Sequence, residues 1–156
     1  MTTQQSTAAL SGLSAQLIGR LLVPGDRDWD IARRPWNLRV DQRPAAIVEP
    51  AGADDMAATA AFAARHGLRV AVQSSGHGAG ADLTDTIMVR TRALRDITVG
   101  PVGNLVKVGP GVLARDLAAT AARHGLAAST GSGPTTGVAG FTMFGGVGVL
   151  GRAVGF

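Results

Sequence analysis

The chain has 156 residues, a hydrophobic fraction of 46%, a formal net charge of +4 and no cysteine. Its length and hydrophobic content suffice for one domain with a buried core and exclude a disordered chain, and the lack of cysteine excludes disulfides, thiol catalysis and thiolate metal sites. All but one of the 15 basic residues, Lys107, are arginines scattered along the chain. We therefore expect solvated arginines rather than a clustered nucleic-acid-binding face.

The secondary structure is predicted in chain order. Residues 1–10 are expected to form a loose terminus, and residues 11–22 an amphipathic helix, because their leucines recur at helical spacing. A strand bounded by prolines follows at 45–48, then a helix at 53–66 that ends at Gly67. Further strands are predicted at 68–73, 86–91, 94–100, 104–111 and 126–130, and a second helix at 112–124.

Two glycine-rich loops each follow a predicted strand. Residues 74–80 read SSGHGAG, and residues 131–140 read GSGPTTGVAG. A parallel strand–helix–strand unit places such loops at the carboxyl ends of strands, where α/β sheets bind ligands. Without Cβ atoms the main chain can approach a ligand closely, and successive N–H groups can bind phosphate without a cation. The loops indicate a nucleotide or dinucleotide site; flexible connections are the alternative interpretation.

The common nucleotide motifs are incomplete in this chain, and one histidine stands apart. Residues 146–151 fit G-x-G-x-x-G, but a Rossmann site needs a preceding strand, a following helix and an acidic residue about 20 positions on. GSGPTTG lacks the lysine of a P-loop. His66 and His124 precede helix-ending glycines and are interpreted as polar groups at helix C-termini. His77 has glycine on both sides and is a candidate nucleophile toward a cofactor, or alternatively a loop histidine that contacts phosphate or solvent.

The sequence predicts neither an export signal nor a membrane span. The first basic residue is Arg20, so no charged segment precedes an apolar run. The uncharged segment 137–150 would cover roughly 21 Å of a hydrocarbon core near 30 Å, and glycines interrupt it. We therefore expect a cytoplasmic protein.

Four ordered motifs resemble the flavin domain of the vanillyl-alcohol oxidase / p-cresol methylhydroxylase (PCMH) superfamily, especially bacterial berberine-bridge-enzyme-like FAD-linked oxidoreductases. They are the proline-bounded strand, the GHG loop at 76–78, the VGPG turn at 108–111 and the GPTTGVAG…GGVG segment at 133–148. The resemblance implies an α+β fold: a PCMH-type FAD-binding domain with a small βαβ subdomain and a second mixed or antiparallel sheet subdomain, the N-terminal part of a larger fold. An N-terminal arm and helix at 1–35 would precede the FAD-binding domain at 36–156, which would stop before a substrate-binding domain.

The resemblance also implies a cofactor site. FAD is the implied cofactor, with loop 74–80 holding its pyrophosphate and His77 attached covalently to the flavin 8α carbon. Family members with a second, cysteinyl bond carry cysteine where this chain has Gly133, so only a histidyl link is implied. The candidate cofactor-binding residues are Ser74, Ser75, Gly76, His77, Gly78, Ala79, Gly80, Gly131, Ser132, Pro134, Thr135, Gly137, Gly140, Gly145 and Gly146.

The implied activity is a flavin-dependent oxidation. The chain would belong to an oxidoreductase that abstracts a hydride from a small-molecule alcohol, sugar or amine-type substrate, with O₂ as the expected acceptor. No catalytic base is named, since the family's bases lie mostly beyond this segment, and no metal is expected. Two alternatives are a non-catalytic FAD- or nucleotide-binding fragment of the same fold and a basic nucleic-acid-binding domain. The expected partner is a substrate domain or a second copy of the chain, not nucleic acid or a membrane.

Overall fold

The computed structural model describes residues 10–155, so the first nine residues of the predicted arm and Phe156 lie outside it. It contains a four-stranded sheet and a two-stranded sheet with helices packed on them, which confirms the expected fold class. In chain order the elements are α1 (10–14), β1 (Arg20–Leu22), α2 (Trp29–Ala32), β2 (Ala46–Glu49), α3 (Ala53–His66), β3 (Arg69–Gln73), β4 (Thr86–Arg90), β5 (Ile97–Val99), β6 (Val106–Val108), α4 (Ala114–Arg123), α5 (Val138–Phe144) and α6 (Gly151–Val154).

The larger sheet has the strand order β1-β2-β4-β3. β2 and β3 both run parallel to β4, and β1 pairs antiparallel with β2. β2 and β3 are connected through α3 but are not neighbours in the sheet. β4 lies between them, and all five of its residues are buried. The carboxyl ends of three parallel strands therefore meet at one edge of the sheet, and the chain leaves β3 at that edge through loop 74–80.

The two faces of this sheet are covered by different segments. On one face, Val48 and Ile87 pack with Phe62 of α3. On the other face, Ile47 and Met88 pack with Leu22 of β1 and Ala32 of α2. α3 ends as predicted at Gly67, which has φ +65° and donates its N–H to the Ala63 carbonyl, a left-handed conformation that favours glycine.

The second sheet is a short antiparallel pair, β5 and β6. α4 packs near it through Leu117, which forms a small buried cluster with Val112 and Val138. Since Val138 begins α5, this cluster joins the second sheet to the segment that contains the second glycine-rich loop. Within residues 10–155, no helix has the length and apolar character needed to cross a bilayer.

The predicted helix at 11–22 is wrong. Helical structure covers 10–14 only, and β1 then pairs with β2 in the sheet. Just before β1, the main chain at Gly19 lies so close to β2 that a Cβ there would be 2.1 Å from the Glu49 carbonyl oxygen. The leucine spacing was compatible with a helix, but pairing with a buried strand overrides that local preference.

The predicted strand at 126–130 is also wrong, because these residues pair with no neighbouring strand. Instead, Leu126 donates its N–H to the Ala121 carbonyl at the end of α4, and the Thr130 carbonyl accepts a bond from the Val149 N–H. The second glycine-rich loop therefore does not follow a strand, contrary to the expectation.

Asp55, in the first turn of α3, binds the N-terminal segment through hydrogen bonds. It is 2% exposed, and its carboxylate accepts backbone N–H bonds from Ile18 at 2.8 Å, Gly19 at 2.8 Å and Ala51 at 2.7 Å. Burial alone would raise the pKa of this carboxyl, but the three hydrogen bonds outweigh it and hold the pKa below its ordinary value. The carboxylate thus supplies acceptors that neutral side chains would not match.

Replacement of Asp55 by alanine should lower the free energy of unfolding by about 3 kcal/mol, since three buried N–H groups lose a charged acceptor. Asp54, its exposed neighbour in the same helical turn, provides the matched control, and Asp54→Ala should change stability by less than about 0.5 kcal/mol. Urea denaturation measures both. Equal losses in the two variants would contradict this role.

The same carboxylate predicts a pH dependence. Because the folded-state pKa of Asp55 is depressed, its stabilisation is complete above the ordinary carboxyl pKa and is lost as the pH falls below it through the folded-state pKa. Wild type should therefore lose more stability than Asp55→Asn between pH 5 and strongly acidic pH, as measured by urea midpoints. Parallel losses in the two proteins would contradict the prediction.

Candidate functional site

Loop 74–80 lies at the carboxyl edge of the larger sheet and rests on Pro35. Gly76 has φ +74°, and a Cβ there would lie 2.8 Å from the Pro35 Cβ, so only glycine fits. The Ser75 carbonyl accepts an N–H bond from Trp36 at 3.0 Å. By contrast, a Cβ on Gly78 or Gly80 would have no neighbour within 4 Å. Gly76 is therefore required by the packing of the loop, whereas Gly78 and Gly80 face open space in which a ligand could lie.

His77 projects from this loop against an aromatic side chain. Its imidazole packs on the indole of Trp36, with ring centroids 4.4 Å apart and a 36° angle between the planes. Both residues are exposed. The contact restricts the imidazole while leaving part of it accessible, which suits a side chain that must meet a ligand in a fixed orientation.

The second loop, 131–137, is held by the start of α4 rather than by a strand. Its Pro134 and Thr136 carbonyls accept N–H bonds from Arg115 and Ala114 at 3.1 and 2.9 Å. Gly137 forms an isolated antiparallel bridge with Leu113. These bonds use main-chain groups of the loop, so its conformation does not depend on long side chains.

Loops 74–80 and 131–137 contact each other, and the contact leaves little room for a Cβ at Gly137. A Cβ on Gly137 would lie 3.0 Å from the Ser74 Cβ and Oγ, and a Cβ on Gly133 would lie 3.7 Å from Cε1 of His77. The structure thus brings two loops that lie some sixty positions apart in the sequence into contact.

The groups at this junction fit the pyrophosphate of a dinucleotide. Ser74 Oγ is buried and has no hydrogen-bond partner among residues 10–155. A hydroxyl can donate to a phosphate oxygen, and main-chain N–H groups in glycine-rich loops can bind phosphate without a cation. Loop 74–80 contains no carboxylate that would repel an anion.

The remaining candidate glycines have other neighbours. A Cβ on Gly131 or Gly146 would lie 2.8 or 2.1 Å from the ring of Phe141. Gly140 lies within α5, and Gly145 ends that helix with φ +82°. Phe141 packing explains the small residues at 131 and 146 without a ligand, so their assignment to cofactor binding stays a prediction.

Three features beside the loop were not anticipated from the sequence. Pro35 and Trp36 support loop 74–80, as described above. Gln42 and Gln73 form a buried reciprocal amide pair, with both N–O distances at 3.0 Å, and the Gln42 amide also donates to the Gly80 carbonyl at 2.8 Å. Arg90 ends β4 in a buried position. Isolated glutamines in coil and strand carry no pattern that predicts such a pair.

The arginines form ion pairs on several parts of the surface rather than one basic face. Arg20 contacts Asp28 and Glu49, and Arg95 contacts Asp116. Further pairs join Arg33 to Asp30 and Asp41, Arg43 to Asp41, and Arg69 to Asp82. These pairs neutralise much of the positive charge locally, which disfavours nucleic-acid binding.

Comparison with known proteins identifies relatives of the whole described fold. (R)-6-hydroxynicotine oxidase of Paenarthrobacter nicotinovorans is 34% identical over 134 residues, which cover 85% of this chain and 29% of that protein. The crystal structure of 6-hydroxy-D-nicotine oxidase from Arthrobacter nicotinovorans gives a TM-score of 0.82 at 34% identity and covers 89% of this chain and 31% of that one. The BBE-like 1 protein of Physcomitrella patens shares the fold, with a TM-score of 0.83 at 24% identity and coverage of 94% and 33%.

The chain spans about a third of the length of the curated relatives it matches. The family described as FAD binding domain matches residues 44–156, which is most of the chain and includes both glycine-rich loops. This match agrees with the resemblance inferred from the motifs and with the fold of the solved relatives. The chain therefore belongs to the FAD binding domain family, consistent with a domain of the PCMH type, and its cofactor is FAD.

Proposed function

We propose that the chain binds FAD with the pyrophosphate at the junction of loops 74–80 and 131–137. The observation that carries this proposal is the contact between the loops, where Ser74 Oγ is buried beside Gly137 and has no hydrogen-bond partner in the described part of the chain. The open space beside Gly78 and Gly80 supports it, since a ligand can approach the main chain there. Ser75, Ala79, Ser132, Pro134 and Thr135 are the other proposed contacts along the two loops.

The proposed activity of the whole protein is oxidation of a small-molecule substrate. When bound, FAD supplies the hydride acceptance, and the protein supplies binding and orientation. Alcohols, sugars and amines are the proposed substrate classes, with O₂ as acceptor. The similarity to a protein named as a hydroxynicotine oxidase favours an amine. We propose that a substrate domain outside this segment, or a second copy of the chain, completes the site, and that the protein is cytoplasmic.

We further propose that His77 is the covalent attachment point. A ring nitrogen of His77 would bond to the 8α carbon of the flavin. One hydrogen would leave that carbon and one the imidazole N–H, and the two electrons and two protons would reach O₂ as hydrogen peroxide. The exposed position of His77, its glycine neighbours and its packing on Trp36 support this role. With Gly133 in place of cysteine, a single link is expected.

The two kinds of glycine in loop 74–80 give a paired test of FAD binding. Gly78→Val adds a branched side chain in open space, so the ligand-free chain should keep its stability while its affinity for FAD falls at least about tenfold, or about 1.4 kcal/mol. Gly76→Ala forces alanine into a left-handed conformation against Pro35 and should lower stability by about 2 kcal/mol. Flavin fluorescence quenching and thermal melting measure the two effects.

If Gly78→Val binds FAD as tightly as wild type, the ligand does not approach loop 74–80 and the proposed site is wrong. The comparison with Gly76→Ala separates damage to the fold from damage to the site, because only one of the two glycines has neighbours that a Cβ would meet.

The covalent link is tested with three histidine variants. After aerobic incubation with FAD, the wild-type chain should keep flavin fluorescence on an acid-treated denaturing gel. His77→Ala should lose that band while still binding FAD reversibly, because the proposed phosphate contacts are main-chain groups and serine hydroxyls. His66→Ala and His124→Ala should keep the band, since these histidines lie at the ends of α3 and α4. A band in His77→Ala, or none in wild type, would rule out this attachment.

A further inference from the structure

Arg90 is a buried cation without a partner. It is the last residue of β4, an inner strand of the larger sheet, and is 1% exposed. None of its three guanidinium nitrogens has a hydrogen-bond partner among residues 10–155. Burial lowers its pKa to about 10, with a smaller lowering from Arg92, so the group stays charged at neutral pH. A buried charge with unmet donors is strongly unfavourable unless something compensates it.

Strand pairing connects Arg90 to the candidate site through Gln73. In the β3–β4 register it lies opposite Gln73, the last residue before loop 74–80, and paired residues share one face of a sheet. Gln73 in turn supports the loop, since a Cβ on Gly76 would lie 3.0 Å from the Gln73 side-chain amide carbon. Arg90 and Gln73 therefore lie side by side on one face of the sheet, and Gln73 lies against loop 74–80.

The polar groups around Arg90 are already engaged. The Glu49 carboxylate, at the end of β2, favours the charged form of Arg90 through space but accepts its hydrogen bonds from Arg20, at 2.5 and 3.0 Å. The amides of Gln42 and Gln73 bond to each other. The exposed Arg92 adds positive charge. An anion from outside the described chain would supply the compensation that these groups do not.

We propose that Arg90 is a positioning residue that attracts the pyrophosphate of FAD to loop 74–80 from beneath the loop. This inference rests on the proposed function and deepens it. Loop 74–80 has no lysine or arginine of its own, and a charge acts over longer distances through a protein interior than through water. Among residues 10–155 the buried Arg90 charge has no hydrogen-bond partner, and the two phosphates of the cofactor would offset that charge on binding.

The test compares Arg90→Met, Arg90→Lys and the exposed control Arg92→Met, which removes the same charge two residues away. The dissociation constant for FAD is measured by fluorescence quenching, and the melting temperature of each ligand-free chain by circular dichroism. Arg90→Met should weaken FAD binding at least about tenfold and raise the melting temperature of the ligand-free chain. Arg90→Lys should keep affinity within about threefold, and Arg92→Met within about twofold, since solvent screens an exposed charge.

The outcomes separate this inference from the function on which it rests. If wild type does not bind FAD, the proposed function fails and this inference with it. If wild type binds FAD and Arg90→Met binds it equally well, only the role of Arg90 is wrong. If Arg90→Met melts at a lower temperature or fails to fold, Arg90 has a stabilising partner within the protein, which also overturns the inference.

Discussion

The close approach of two loops, permitted by the missing Cβ of Gly137, is the constraint on which the site depends. At that position the main chain of the second loop lies against the side chain of Ser74, where a Cβ would be 3.0 Å from the hydroxyl. The contact buries the Ser74 hydroxyl, which has no hydrogen-bond partner within residues 10–155. Because protein interiors satisfy nearly all buried polar groups, the junction has the composition of a binding site rather than of a packed core.

The sheet positions the first loop, and helix α4 positions the second. The parallel pairing of β2, β4 and β3 brings loop 74–80 to the carboxyl edge, where Pro35 and the Gln42–Gln73 pair hold it from below. The second loop is fixed by main-chain bonds to the first turn of α4. Both supports bond to loop carbonyls rather than to loop N–H groups, and neutral N–H donors are what the binding of an anion without a cation requires.

The secondary structure could be predicted from the sequence where local signals and tertiary packing favour the same conformation. The α3 helix, its end at Gly67 and the buried strands β2 and β4 follow from periodicity and from glycine and proline positions. The helix expected at 11–22 failed, because Asp55 and β2, more than twenty residues away, decide the conformation of that segment. The motifs indicated both loops, but no local pattern predicts that Gly137 contacts Ser74. The burial of Arg90 could not be predicted for a different reason, because the sequence alone suggests that an arginine at the end of an apolar strand is exposed to solvent.

The central claim is that FAD lies at the junction of the two loops, and hydrogen–deuterium exchange of the chain with and without saturating FAD tests it most directly. Main-chain amides that bond to a ligand or are covered by it exchange more slowly. If FAD lies at the junction, exchange should slow in peptides covering 74–80 and 131–137 together, with little change in β5, β6 and the exposed face of α4. Protection confined to the second sheet, or absent from both loops while FAD is bound, would contradict it.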